Sequence, residues 1–159
     1  MLVDHGFVVP MQLLWPDEPR PVKVIPVCVN TVQHPLPTPA RCWALGQAIG
    51  RAIESFEEDL RVVVLGTGGL SHQLDGARAG FINKDFDMMS LDAIAADPAK
   101  LAEYSIVEII EQAGSQGAEI ILWLIMRGAL SGTVSELHRN YHVPISNTAA
   151  GLLLLENAG

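Results

Sequence analysis

RVVVLGTGGLSHQLDG, residues 61–76, carries the pattern that sets the fold class. Arg61-Val62-Val63-Val64-Leu65 is a β-branched apolar run, the composition of a buried strand. Three glycines, Gly66, Gly68 and Gly69, follow within four positions, and the loop then presents His72. Glycine lets the backbone turn sharply, or pass close to something, where a Cβ would collide. In open α/β sheets ligands bind at the ends of strands. An imidazole, with a reference pKa near 6.5, can move protons there at neutral pH. His72 therefore has two readings, a proton-transfer group or a ring that hydrogen-bonds its own loop. GTGG lacks the spacing of a G-x-G-x-x-G fingerprint and is not followed by GK[ST], and Gly-Leu-Ser-His-Gln is not a G-x-S-x-G elbow.

Upstream, Thr38-Pro39 opens the clearest helix in the chain, with Thr38 as N-cap and Pro39 at the first helical position. Ala44, Leu45, Ala48, Ile49, Ala52, Ile53 and Phe56 recur at helical spacing, so this helix is expected to run to about residue 57. A buried strand after a helix is the α/β signature. VKVIPVCV (22–29) reads as a further strand, placed at an edge or bulge by Pro26. Downstream, Ser105 and Glu108 form a capping box for IVEIIEQA, which Gly114 ends. Ser115 is expected to cap EIILWLIMRGAL, read as a buried helix on its length. VPISNTAAGLLLL reads as a turn and a short apolar segment. The expected architecture is a single α/β domain, a mostly buried sheet flanked by helices.

Bulk properties narrow the function classes. The chain has 159 residues, 49% hydrophobic and 18% charged, which fits one globular domain. A net charge of −8 argues against a nucleic-acid surface. No apolar run reaches the roughly 18 residues of a membrane span. MLVDHGF has no basic stretch followed by an apolar one, so no secretory signal is expected. Cys28 and Cys42 form no zinc pattern and read as reduced thiols of a cytoplasmic protein. The chain opens almost directly on Asp4-His5-Gly6 and stops at LLLLENAG, without polar fraying residues. It is expected to be part of something larger.

Other residues could carry chemistry. Glu119 heads the most apolar run, where a lone carboxylate must be solvated, paired or bound to a cation. A helix N-terminal charge and a metal ligand both remain open. His138 and His142 are four apart, but HRNYH lacks the Glu of H-E-x-x-H, and they read as surface histidines. His5, between Asp4 and Gly6, sits at a turn-like position, and His34 lies in the Pro-rich QHPLP. Ser146-Asn147-Thr148 either caps a helix or grips a polar substrate group.

These stretches together are familiar. DHGFVVPM, VNTVQHPLPTPARCWALGQAIGRAIE, VLGTGGLSHQLDG, AGFINKDFD and HVPISNTAAG resemble the catalytic subunit of class III extradiol ring-cleaving dioxygenases, in the protocatechuate 4,5-dioxygenase beta-subunit and gallate dioxygenase group. The resemblance covers essentially all of this chain and about the C-terminal half of the family's catalytic chain. It implies residues 1–159 as the C-terminal portion of an extradiol dioxygenase domain. It implies Fe(II) held by two histidines and a carboxylate, with a catechol and O2 at the open positions. By motif, Glu119 matches the carboxylate ligand and His72 the acid/base that takes and returns a hydroxyl proton. His5 matches a histidine at the substrate hydroxyls, and Ser146 and Asn147 match residues near the ring substituent. The family's two iron histidines have no counterpart here, since none of His34, His138 and His142 falls where they should be.

Two functions follow as expectations. One is Fe(II)-dependent extradiol cleavage of a carboxylated catechol such as protocatechuate or gallate, as part of a larger catalytic subunit. Expected partners are the substrate, O2, a small helical subunit or fused domain, and further copies in an oligomer. The other is a truncated, non-catalytic relative serving as an interaction or ligand-binding module. A phosphate-binding α/β protein using GTGG is weaker still.

Overall fold

A computed structural model of the chain describes residues 4–17 and 21–158. Four of its helices begin where a side chain satisfies a free N–H group of the first turn. Asp4 accepts from Gly6 at 2.8 Å and opens α1 (His5–Leu14). Thr38 accepts from Arg41 and opens α2 (Pro39–Glu54), with Pro39 in the first turn as expected. The helix stops at Ser55, a turn short of the sequence estimate, and Phe56 lies exposed. Asn83 caps α3 (Lys84–Ala96), and Asp97-Pro98 separates it from the short α4 (Pro98–Ala102). The Ser105–Glu108 capping box opens α5 (Ile106–Ala113), and Gly114 ends it at φ +87°.

EIILWLIMRGAL is helical, as its length implied, but Ser115 does not cap it. The Ser115 hydroxyl donates to the Gln116 side chain, a 3-10 turn covers Gly117–Glu119, and α6 runs Ile120–Gly128. Every residue of α6 except Leu122 is buried. A helix apolar on all sides belongs at the centre of a domain. Leu70, Leu91, Ile94, Leu101 and Ile109 share the core with it, with no appreciable exposure. Arg127 is buried on the same helix and donates to the carbonyls of Ile94, Ser131 and Gly132. Burial lowers its pKa, and the carbonyl-rich ends of α3 and α6 compensate the charge.

The sheet is an antiparallel pair, β1 (Val134–His142) and β2 (Ala150–Asn157), registered from Val134 opposite Asn157 to His142 opposite Ala150. Tyr141, Leu153 and Leu155 pack toward the core, while Leu152 and Leu154 face outward. The α/β class stands, but the buried centre is a helix rather than a sheet. The two sequence-predicted strands differ from expectation. Residues 22–29 and 61–65 form no ladder among the described residues, and most of their apolar side chains are exposed. A strand needs a neighbour, which β propensity alone does not supply. His138 and His142 are exposed, as expected, but lie on a strand. Both cysteines are free, and burial pushes the Cys42 thiol up to about 11. No helix among the described residues is long and apolar enough to cross a membrane.

The α2–α6 contact is made backbone to backbone. A Cβ on Gly46 would lie 2.2 Å from the Ile125 carbonyl oxygen, and one on Gly128 would lie 2.7 Å from that of Trp43. Helix propensity alone would favour Gly46→Ala by roughly 1 kcal/mol. Forcing the helices apart outweighs that, so Gly46→Ala is expected to lower stability by about 2 kcal/mol or more. Urea unfolding reads the loss, with the exposed Ala48→Gly as control at about 1 kcal/mol. A neutral Gly46→Ala variant would contradict this packing.

Candidate active site

The three glycines of the opening stretch each meet a different neighbour. A Cβ on Gly66 would lie 2.8 Å from the Met126 Cβ, and one on Gly68 2.8 Å from the Glu119 Cβ. One on Gly69 would lie 2.8 Å from Cε1 of His72. Gly68 also takes φ +123°, a conformation that side chains disfavour. The turn therefore lies directly on the head of α6, where the Trp123 indole donates to the Gly68 carbonyl at 3.1 Å.

His72 and Glu119 meet at Gly69. The Gly69 N–H donates to Oε2 of Glu119 at 2.8 Å, and the His72 ring packs against Gly69. Glu119 makes no side-chain cap to α6, so its half-buried carboxylate serves the turn instead. The His72 ring is only 6% exposed, with Nδ1 2.8 Å from the Leu70 carbonyl. A carbonyl only accepts, so Nδ1 donates to it, as the loop-bonding reading of His72 held, and Nε2 makes no hydrogen bond among the described residues.

The backbone around His72 is held from several sides. Its N–H donates to the Ala113 carbonyl at 2.8 Å, and its own carbonyl accepts from Gly117 at 3.2 Å. Gly114 passes so near that a Cβ would lie 2.4 Å from the His72 oxygen. Thr148 bridges to His72, with Leu70 donating to Ala149 and Ala149 donating to Ser71. This pairing brings the 144–149 turn to the site. Asn147 takes φ +52° and donates its N–H to the Pro144 carbonyl, and Ser146 is exposed beside it. The His5 ring is exposed, with Nδ1 3.4 Å from the Asp4 carboxylate, and a Cβ on the adjacent Gly6 would lie 3.5 Å from the Thr67 hydroxyl.

The pattern reading missed Asp87. It is 1% exposed and accepts from the Ser71 N–H at 2.7 Å, the Ser71 hydroxyl at 2.6 Å and the Tyr141 hydroxyl at 2.9 Å. Ser71 in turn accepts from the Asn83 N–H at 2.8 Å. A buried carboxylate with no cation beside it is stabilised by such donors. A signal was present: Asp87 falls on the buried stripe of α3 with Ser90, Leu91 and Ile94. Arg78 does not approach an anion; it stacks 3.8 Å over the Phe81 ring and donates to the Glu111 carbonyl.

A histidine and a carboxylate thus converge on one glycine turn of an α/β scaffold. The chain belongs to the family of the catalytic LigB subunit of aromatic ring-opening dioxygenases, which it matches over residues 1–151. It is 49% identical to gallate dioxygenase of Pseudomonas putida over 156 residues, 98% of this chain and 46% of that protein. It is 45% identical over 74 residues to 2,3-dihydroxyphenylpropionate/2,3-dihydroxicinnamic acid 1,2-dioxygenase of Comamonas testosteroni, 22% of that protein. The enzyme of that name from Escherichia coli O139:H28 is 47% identical over 73 residues. The chain therefore spans less than half the length of these relatives.

The Asp87 network has a pH signature. Burial, then the bond to Asp87, raise the Tyr141 pKa above the usual tyrosine value. A proton held more tightly in the folded chain contributes stability that is complete below about pH 10 and is lost as pH rises beyond it. Tyr141→Phe is expected to lower stability by about 1–3 kcal/mol at pH 7. It is also expected to flatten the decline above about pH 10. Urea midpoints measured from neutral to strongly alkaline pH test this; parallel declines in both proteins would uncouple the tyrosine from Asp87.

Proposed function

We propose that this chain forms the C-terminal portion of the catalytic domain of an aromatic ring-opening dioxygenase acting on a carboxylated catechol, with gallate or protocatechuate as substrate. The observation that supports the reading is the convergence of His72 and Glu119 on Gly69, with Nδ1 of His72 bonded to the Leu70 carbonyl and Nε2 making no hydrogen bond among the described residues. In this reading Nε2 takes the proton of one ring hydroxyl as the substrate binds and returns it as the ring opens. A positioned base of this kind contributes roughly 10²–10⁴ in rate. Ser146 and Asn147 hold the ring substituent, and His5 lies toward the hydroxyls. O2 is the second substrate, and the setting is cytoplasmic.

Fe(II) is the proposed metal, supplying a centre at which a diol and O2 exchange charge. The described residues do not make that centre by themselves. No three His, Cys, Asp or Glu side chains converge among them, so this chain contributes one carboxylate, Glu119. The same observation favours a second reading, a non-catalytic relative that keeps the fold as a binding module.

One chimera separates the two. This chain is exchanged for the matching 156-residue region of Pseudomonas putida gallate dioxygenase, and O2 uptake is followed with gallate and protocatechuate. Catalysis by this chain predicts turnover, and His72→Phe is expected to cut it by about 10²–10⁴ with iron content unchanged. A chimera that binds iron and stays inactive favours the module. A His72→Phe chimera within a few-fold of its parent removes His72 from the chemistry.

A further inference from the structure

The two halves of the site come from separate stretches of chain, and one buried carboxylate reaches both. Asp87 lies on the core face of α3, and among the described residues no Lys or Arg pairs with it. Its Oδ1 accepts from the Ser71 N–H, and its Oδ2 accepts from the Ser71 and Tyr141 hydroxyls. Taking a carboxylate out of water costs more than burying an apolar side chain of similar shape, so stability alone does not call for an anion here. A fully bonded buried network instead selects one arrangement of the groups that join it. On one side the network joins Ser71, whose N–H and hydroxyl are both held and which directly precedes His72. Leu70, the residue before Ser71, accepts from Nδ1 of the His72 ring. On the other side it joins Tyr141, near the end of β1 and just before the turn that Pro144 opens.

These connections close a ring. Ala149 donates to the Ser71 carbonyl at 3.1 Å, and its own carbonyl accepts from Leu70 at 2.9 Å. The 142–148 segment carries Ser146 and Asn147. One of its ends is tied to Ser71 directly, through Ala149, and the other is tied to Ser71 through Tyr141 and Asp87. We propose that Asp87 is a positioning residue: by holding Ser71 and Tyr141 together it sets the His72 imidazole and the 142–148 turn against each other. The carboxylate acts through those two residues rather than on the substrate. A turn pinned at both ends has few arrangements open to it, and release of one pin returns them. The consequence for catalysis rests on the function proposed above, in which His72 moves a proton while Ser146 and Asn147 hold the ring substituent. The positioning itself does not rest on that function, because it is a statement about how two parts of this chain are held.

Removing Asp87 outright leaves its donors unpaired in the core and risks unfolding, so the test works through its partners, in the gallate dioxygenase chimera and in the chain itself. Ser71→Ala removes a bond beside His72, and Tyr141→Phe releases the β1 end of the turn. In the chimera, Ser71→Ala is expected to lower kcat more than it raises KM, and Tyr141→Phe to raise KM more than it lowers kcat, each by about threefold or more. Combined, the two are expected to couple in kcat/KM by about threefold or more, although they meet only through Asp87. Ile94→Val, which shortens a fully buried side chain of the same helix, is the control: it is expected to lower stability and leave kcat and KM unchanged. In the chain itself, NMR is expected to show the His72 ring signals shifting in Tyr141→Phe and not in Ile94→Val. Independent effects of Ser71→Ala and Tyr141→Phe on kcat/KM would overturn the proposal, as would His72 signals that ignore Tyr141→Phe. An inactive parent chimera removes the functional reading and leaves NMR to decide the positioning: His72 signals that follow Tyr141→Phe uphold it, and signals that do not overturn it.

Discussion

The structure depends on one close approach, the contact of the 66–69 turn with the head of α6. Side chains at Gly66, Gly68 or Gly69 would collide with Met126, Glu119 or the His72 ring. With only hydrogens there, the turn drops onto the helix, Trp123 bonds Gly68, and the Glu119 carboxylate bonds Gly69. The site follows from that contact. Glu119 comes from a turn at the head of the central helix and His72 from a loop, and their meeting point is a residue without a side chain.

Holding His72 falls to the surrounding backbone and one buried anion. Ala113 at the end of α5, Gly117 in the 3-10 turn before α6, Thr148 and Ala149 before β2, and Asp87 from α3 all bond within the Leu70–His72 segment. Elements far apart in sequence thus fix one imidazole, leaving it little freedom to reorient. The proton-transfer role proposed for His72 calls for such fixing, because geometry settled before substrate arrives does not have to be imposed during the reaction. The buried Asp87 carboxylate is tolerated because three donors compensate its desolvation.

The same constraints divide the molecule into two regions of different completeness. Around α6 the packing is dense, with α2 and α6 in backbone contact. Around residues 22–29 and 61–65 the chain is extended, apolar and exposed. The turn that carries the site lies where these regions join: Leu65 belongs to the open side and Gly66 already touches the helix.

Local signals were legible in the sequence because they act within a few residues. Thr38-Pro39 and the Ser105–Glu108 box placed two helix starts, and the length and apolarity of 119–130 marked the buried helix. His72 and Glu119 stood out individually, one as a titratable ring after glycines and the other as a carboxylate entering an apolar run. Ser146 and Asn147 were legible only through resemblance, and Asp87 was passed over although it sits on an apolar stripe. Tertiary structure decided which distant groups meet: Glu119 with Gly69, Asp87 with Ser71 and Tyr141, Thr148 with His72. It also decided that Val62–Leu65 has no strand partner among the described residues. Propensity and capping are energies of neighbouring residues, whereas pairing and burial depend on what the rest of the chain brings alongside.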